Sequence, residues 1–150
     1  MNNEKQPFSL KEFNSIYSKV PRLTVEIIIP NDKGEIYLTK RAIEPCKGQW
    51  HLPGGTVRFG EALQDAVKRI TDRELGVAVK QAKNVGYIEY PSHYLHGLDS
   101  PVGIAFEVTR YSGEFVLNNE ALSAGWFSKM PLPMHADQDE FLLQHGYLSK

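Results

Sequence analysis

The stretch Gly54–Val77, G-G-T-V-R-F-G-E-A-L-Q-D-A-V-K-R-I-T-D-R-E-L-G-V, constrains this chain more than any other segment. Two glycines follow a proline, a short loop intervenes, and one helix is expected from about Glu61 to Leu75. Leu63, Ala66, Val67 and Ile70 recur at helical spacing and form an apolar stripe. Gly60 stands where the helix should begin, with Glu61 in the first turn, where the helix dipole favours a carboxylate. Gly76 suits a left-handed C-terminal cap. Glu74 breaks the amphipathic rule. At about 100° per residue it falls on the buried edge of the stripe, four residues after Ile70. A carboxylate there is costly unless it is paired or coordinates something. A magnesium-type ion, which takes oxygen ligands, would satisfy it; so would a lysine or arginine partner, or solvent at the helix end.

A chain of 150 residues is long enough for one domain, residues 1–150, with its own core. A formal net charge of −1 and no basic face argue against nucleic acid as a partner. The one cysteine, Cys46, cannot form an internal disulfide, which fits a reducing, cytoplasmic setting. No apolar run approaches the ~20 residues that span a bilayer, so no membrane partner is expected. Met1–Pro7 is polar, lacks the apolar centre of a signal peptide and reads as a loose tail.

Ser9 with Glu12 forms a capping-box pattern for a helix from Leu10 to about Tyr17. Leu23, Val25, Ile27 and Ile29 mark a strand, and Asn31-Asp32-Lys33-Gly34 a turn into a second strand, Glu35–Lys40, as a hairpin. Trp50 and Leu52 suggest a short strand stopped by Pro53-Gly54-Gly55, and Thr56–Arg58 another. Strands are expected at about Val85–Tyr90, over Val102–Val108, at Phe115–Leu117 and at Trp126-Phe127. Pro91–Ser100 reads as a loop, and Asp137–His145 as a short helix with Phe141 and Leu142 inward. Short strands interrupted by helices indicate a mixed α/β domain.

The organising stretch resembles the Nudix box, in which a glycine, a glutamate, an Arg-Glu pair, a Glu-Glu pair and a final glycine followed by an apolar residue hold fixed spacing. Gly55, Glu61, Arg69, Glu74, Gly76 and Val77 occupy matching positions. Ile70 and Arg73 stand where the family has two further metal-binding glutamates, and Thr71 replaces an apolar residue. This reduced box is similar to that of the GDP-mannose mannosyl hydrolase branch. The segments K-R-A-I-E-P-C-K-G-Q-W-H-L-P-G-G and E-A-L-S-A-G-W-F extend the resemblance over most of the chain. It implies the Nudix-like α-β-α sandwich around a mixed β-sheet.

The resemblance also implies a hydrolase of a nucleoside diphosphate linked to another moiety, dependent on Mg²⁺ or Mn²⁺. Glu74, the carbonyl of Gly54, and Glu120 are the implied metal ligands; a solvated loop carboxylate is the other reading of Glu120. Arg69 matches an arginine that holds the glutamates, or else pairs with Asp65 one turn away. Arg41 resembles an arginine that contacts the diphosphate, a task suited to the guanidinium fork, although a strand-end surface charge explains it equally. Arg73 would bind phosphate in place of a second ion, or mark metal binding that has decayed. The branch has a histidine after its late-loop ligand and an arginine after its second glycine; here these are Ala121 and Thr56. Glu120, His93 or His96 are the remaining candidates for the base, each histidine also readable as a plain loop residue. Trp50, Tyr90 and Tyr94 are candidates to stack a nucleobase, although core packing explains Trp50 equally well. A homodimer is admitted by resemblance alone. Two functions stand open: hydrolysis of a nucleotide-sugar such as GDP-mannose, or a non-catalytic domain that binds a nucleotide or protein partner.

Overall fold

The computed structural model describes residues 7–150; most of the expected tail, residues 1–6, lies outside the described residues. The strands are β1 (Arg22–Ile28), β2 (Ile36–Arg41), β3 (Trp50–His51), β4 (Gly54–Thr56), β5 (Ala78–Glu89), β6 (Pro101–Ser112) and β7 (Ala121–Phe127). The helices are α1 (Leu10–Tyr17), α2 (Leu63–Leu75), α3 (Pro91–Leu95) and α4 (Ala136–Gln144). One sheet has the order β4-β1-β6-β5 and the other β3-β2-β7. β1 and β6 run parallel while β4 and β5 join antiparallel, so the larger sheet is mixed.

Side-chain alternation along β1 divides the interior in two. Val25, Ile27 and Ile29 pack with Ala66, Val67, Ile70 and Leu75 under α2. Ile28 joins Ile36, Leu38, Ile88, Phe141 and Leu142 beneath α4 on the opposite side. Helix, sheets and helix therefore form the α-β-α sandwich. Helix α1 matches its capping box: Ser9 Oγ accepts from Glu12 N at 3.1 Å, and Glu12 reaches back to Ser9. It buries none of its residues.

Several local expectations are corrected. Helix α2 starts at Leu63, so Glu61 is not in its first turn. Ala62 is the extended N-cap, and Glu61 is bound instead by Arg69 and by the Arg58 N–H at 3.1 Å, which holds the preceding loop out of the helix. The Asn31–Gly34 turn forms, with Gly34 N donating to Asn31 O at 3.1 Å. Its flanking segments pair next to the turn, through the antiparallel Pro30–Ile36 bridge and Tyr37 N donating to Ile29 O at 3.1 Å, and then part into different sheets, because β4 and β6 occupy both edges of β1. The glycine turn is itself a strand: Gly54 and Gly55 pair with Glu26 and Val25, and the strand expected at Thr56–Arg58 is its continuation to Thr56 only, opposite Thr24. Residues 91–95 form α3, with Pro91 at its first turn, where a missing N–H costs nothing. β5 begins at Ala78 because its polar residues face outward on a sheet whose partner β6 is equally long. Phe115 lies outside any strand and stacks on Tyr37 at 4.3 Å between centroids.

Candidate active site

The two sheets, α1 and the end of α2 enclose a cavity of about 740 Å³. Its floor is set by β1. The strand's polar alternates, Thr24 and Glu26, point into the cavity while their neighbours fill the cores. Glu26 is 7% exposed and lies between two glycines, Gly54 on β4 and Gly103 on β6. A Cβ on Gly103 would stand 2.7 Å from Glu26 Cγ, and one on Gly54 would collide with Glu26 Oε2. The bare backbone on both sides is what makes room for the carboxylate.

Thr24 Oγ1 donates to Glu26 Oε1 at 2.8 Å, and the Tyr90 hydroxyl bonds the same carboxylate. Tyr90 is fixed in turn by Gln138 Nε2, which donates to its oxygen at 2.9 Å, while Gln138 Oε1 accepts from Leu52 N at 2.8 Å. Burial pushes the Glu26 carboxyl up to about 7, against the pull of these hydrogen bonds and of Arg22. Sequence reasoning missed Glu26. The signal was a carboxylate inside the apolar strand L-T-V-E-I-I-I, where period-two alternation marked a strand and nothing more.

Glu74, on the last turn of α2, opens onto the same cavity with its side chain 15% exposed. Burial pushes its carboxyl up to about 7; Arg73, 3.3 Å away, opposes this, and the carboxylates of Glu120 and Glu26 add to it. Glu26, Glu74 and Glu120 thus feel one another across the cavity wall. Glu120 is exposed on the loop before β7, and its carbonyl accepts from Ala42 N at 2.9 Å, next to Arg41. Gly54 lines the cavity beside Glu26. Of the expected metal ligands, Gly54, Glu74 and Glu120 are therefore gathered at one place.

Arg69 pairs with Glu61 through two bonds, 2.7 and 2.9 Å, and donates a third to the Thr56 carbonyl at 2.9 Å. It clamps the loop between the glycine strand and α2, and its partner is Glu61, not Asp65. Arg69 is the first cause that holds the Glu61 carboxyl below its ordinary value. Arg41 and Arg73 line the cavity; Arg41 Nε donates to the Pro45 carbonyl at 2.5 Å. His93 is buried in the wall, its Nδ1 3.1 Å from Asp99 and its Nε2 3.1 Å from His135 Nε2. His96 is exposed, bonds the Ser92 carbonyl and does not line the cavity. Among the aromatic candidates, Tyr90 serves Glu26, Tyr94 is 69% exposed, and Trp50 packs edge-on against Phe127 at 4.8 Å.

A deeply placed carboxylate cluster with arginines at its rim suits a polyanion and a divalent cation. Burial has raised Glu26 and Glu74, and among the described residues Arg73 is the one basic partner bonded to Glu74, so the donor set fits a hard ion. Comparison with known proteins agrees with this chemistry. The NUDIX domain sequence model matches residues 20–145. The chain is similar to the low-salt glycan biosynthesis protein Agl8 of Haloferax volcanii, 39% identical over 102 residues, which span 65% of each chain. It is also similar to an ADP-ribose pyrophosphatase of Methanocaldococcus jannaschii, 32% identical across 83% of this chain and 72% of that protein. Among solved structures, a MutT NUDIX hydrolase from Burkholderia pseudomallei superposes with a TM-score of 0.73, at 30% identity, over 80% of this chain and 95% of that one. With the domain match covering most of its length and the sandwich in place, this chain belongs to the Nudix family.

Proposed function

We propose that the protein is a Mg²⁺- or Mn²⁺-dependent hydrolase of a nucleoside diphosphate linked to a sugar. The observation that carries this reading is the pair of buried carboxyls, Glu26 and Glu74, both near 7 and both opening on one cavity. A group that titrates near neutrality is the one able to take a proton during turnover. The cavity volume of about 740 Å³ suits a ligand of nucleotide-sugar size. Similarity to a protein named for glycan biosynthesis supports the sugar.

Glu74, Glu120 and the Gly54 carbonyl would hold the cation. When bound, the ion neutralises diphosphate charge and stabilises the negative charge that develops on the leaving group. Glu26, ionised, accepts the proton of the attacking water; Thr24 and Tyr90 hold its carboxylate in place. Arg41 and Arg73 contribute fixed positive charge for the phosphates. Arg69 positions the loop that precedes α2. His93 stands in the wall near Asp99, and His96 takes no part in this scheme. A hydrolysis screen of nucleotide-sugars, ADP-ribose and dinucleoside polyphosphates, with and without Mg²⁺, tests the proposal. Turnover of a nucleotide-sugar only with the metal is the expected result, and the products name the bond cleaved.

The second reading, a domain that binds a nucleotide or protein partner without turnover, draws on the Arg73–Glu74 ion pair of 3.3 Å, which gives Glu74 a counter-charge from the chain itself. It predicts ligand binding with no product in the same screen, and affinity unchanged in Glu74→Gln.

A further inference from the structure

On the wall of the cavity, three segments bring together a thiol and two imidazoles. Cys46 lies in the β2–β3 connection, His93 on α3, and His135 at the N-cap of α4. Their ligand atoms all lie within 4.8 Å of one another. We infer that Cys46, His93 and His135 form a second metal site, for a borderline-soft divalent ion such as Zn²⁺ or Co²⁺, separate from the oxygen ligands of Glu74 and Glu120.

The donor types select the ion. One sulfur and two imidazole nitrogens suit zinc or cobalt, whereas magnesium prefers oxygen. Zinc–nitrogen bonds of about 2.0–2.1 Å place two nitrogens on a tetrahedral ion roughly 3.3 Å apart. The Nε2 atoms of His93 and His135 are 3.1 Å apart, with their rings 24° from coplanar. His93 is already oriented as a ligand: Asp99 bonds its Nδ1 at 3.1 Å, and Arg22 holds Asp99 at 2.5 Å. That carboxylate–imidazole arrangement fixes the ring and leaves the Nε2 lone pair facing inward. Cys46 is the one non-glycine among the described residues with positive φ, at 65°. A non-glycine residue held there is strained, and such strain gathers at functional sites. All three side chains line the cavity, so a fourth position is open to water or an anionic ligand.

Without an ion the two rings satisfy each other. Asp99 takes the Nδ1 proton of His93, whose Nε2 accepts from His135 Nε2–H, and His135 Nδ1 accepts from Asp137 N at 3.2 Å. The metal takes the place of that shared proton. The His135 proton moves to Nδ1, the Asp137 cap bond is given up, and the Cys46 thiol proton leaves to solvent. One proton is released for each ion bound.

The test uses the full chain without a polyhistidine tag, stripped with a chelator and titrated with Co²⁺. We expect one ion per chain and a sulfur-to-cobalt charge-transfer band, undisturbed by a large excess of Mg²⁺. Cys46→Ser should abolish the band. His135→Asn removes the ligand nitrogen but keeps a capping side chain; it should weaken Co²⁺ at least ~10-fold. Asp99→Asn should weaken it about 10–100-fold, as for other groups that orient a ligating histidine. Absence of stoichiometric Co²⁺ uptake, a band that survives Cys46→Ser, or displacement by Mg²⁺ would overturn the site. Cys46 sits in a partly exposed connection outside both cores, so Cys46→Ser remains a usable variant even where the histidine variant fails to fold. The outcome does not depend on hydrolysis.

Discussion

Glu26 owes its position to what its neighbours lack. Gly54 and Gly103 flank it across both edges of β1, and a methyl group at either would occupy space the carboxylate holds. Gly103→Ala should therefore lower kcat sharply, with thermal unfolding as a control that the fold persists; full activity would show that the placement of Glu26 is unimportant. Glu26→Gln keeps the size and removes the base. Loss of general base catalysis typically costs 10²–10⁴-fold, and kcat should fall within about that range. Glu74 was legible in the sequence because it interrupts an apolar stripe. Glu26 was not, because alternation alone cannot tell a polar residue facing solvent from one facing a cavity between sheets. The strands that close that cavity come from residues 54–56 and 101–112, and no local pattern announces the pairing.

Helix α2 was the element most fully readable, since its stripe and its C-terminal glycine are local signals. Gly76 caps it with φ 71° and donates to Asp72 O at 3.1 Å. An L side chain there adopts the left-handed region at a cost of about 1–2 kcal/mol. Gly76→Ala should lower stability by that order in denaturant unfolding, with the slope unchanged; no loss would contradict the cap. The start of the helix was misread by two residues because Glu61 serves Arg69 instead of the helix dipole. That clamp spans the loop, so Arg69→Ala should cost about 2 kcal/mol, the scale for hydrogen bonds to charged groups. It should also raise KM, through the loosened Thr56 loop. The hairpin expected from β1 into β2 holds only next to its turn, at Pro30–Ile36 and Ile29–Tyr37, because neighbours from elsewhere in the chain occupy the edges of β1 beyond it.

At the scale of the molecule, several buried titrating groups compete. Burial holds Glu26 and Glu74 at about 7 against an ordinary 4.5, so each binds more protons folded than unfolded. Their contribution is present at low pH and is lost as pH rises from about 4.5 through 7. His51 and His135 are held at about 4 against 6.5, chiefly by burial, so their contribution is lost as pH falls through that range. From pH 6.5 to 8 the carboxyls dominate among these four, because the unfolded imidazoles are already half deprotonated at 6.5. In chelator, the midpoint of thermal unfolding should therefore fall from pH 6.5 to 8, and Mg²⁺ should raise it more at pH 8 than at 6.5. A flat or rising profile would show that the carboxyls are not suppressed. The sandwich and helix α2 are legible from the box; the cavity is not, because it exists only where both sheets meet. The most direct measurement is the Mg²⁺-dependent kcat on a nucleotide-sugar, for the wild type and Glu74→Gln side by side. The variant removes one charge while keeping the shape, at a position where the charge is poorly solvated. We expect kcat to fall at least ~100-fold, as for loss of one major electrostatic stabiliser, with unfolding unchanged or shifted upward. A wild type that turns over and a Glu74→Gln variant that keeps the full metal-dependent rate would contradict the account.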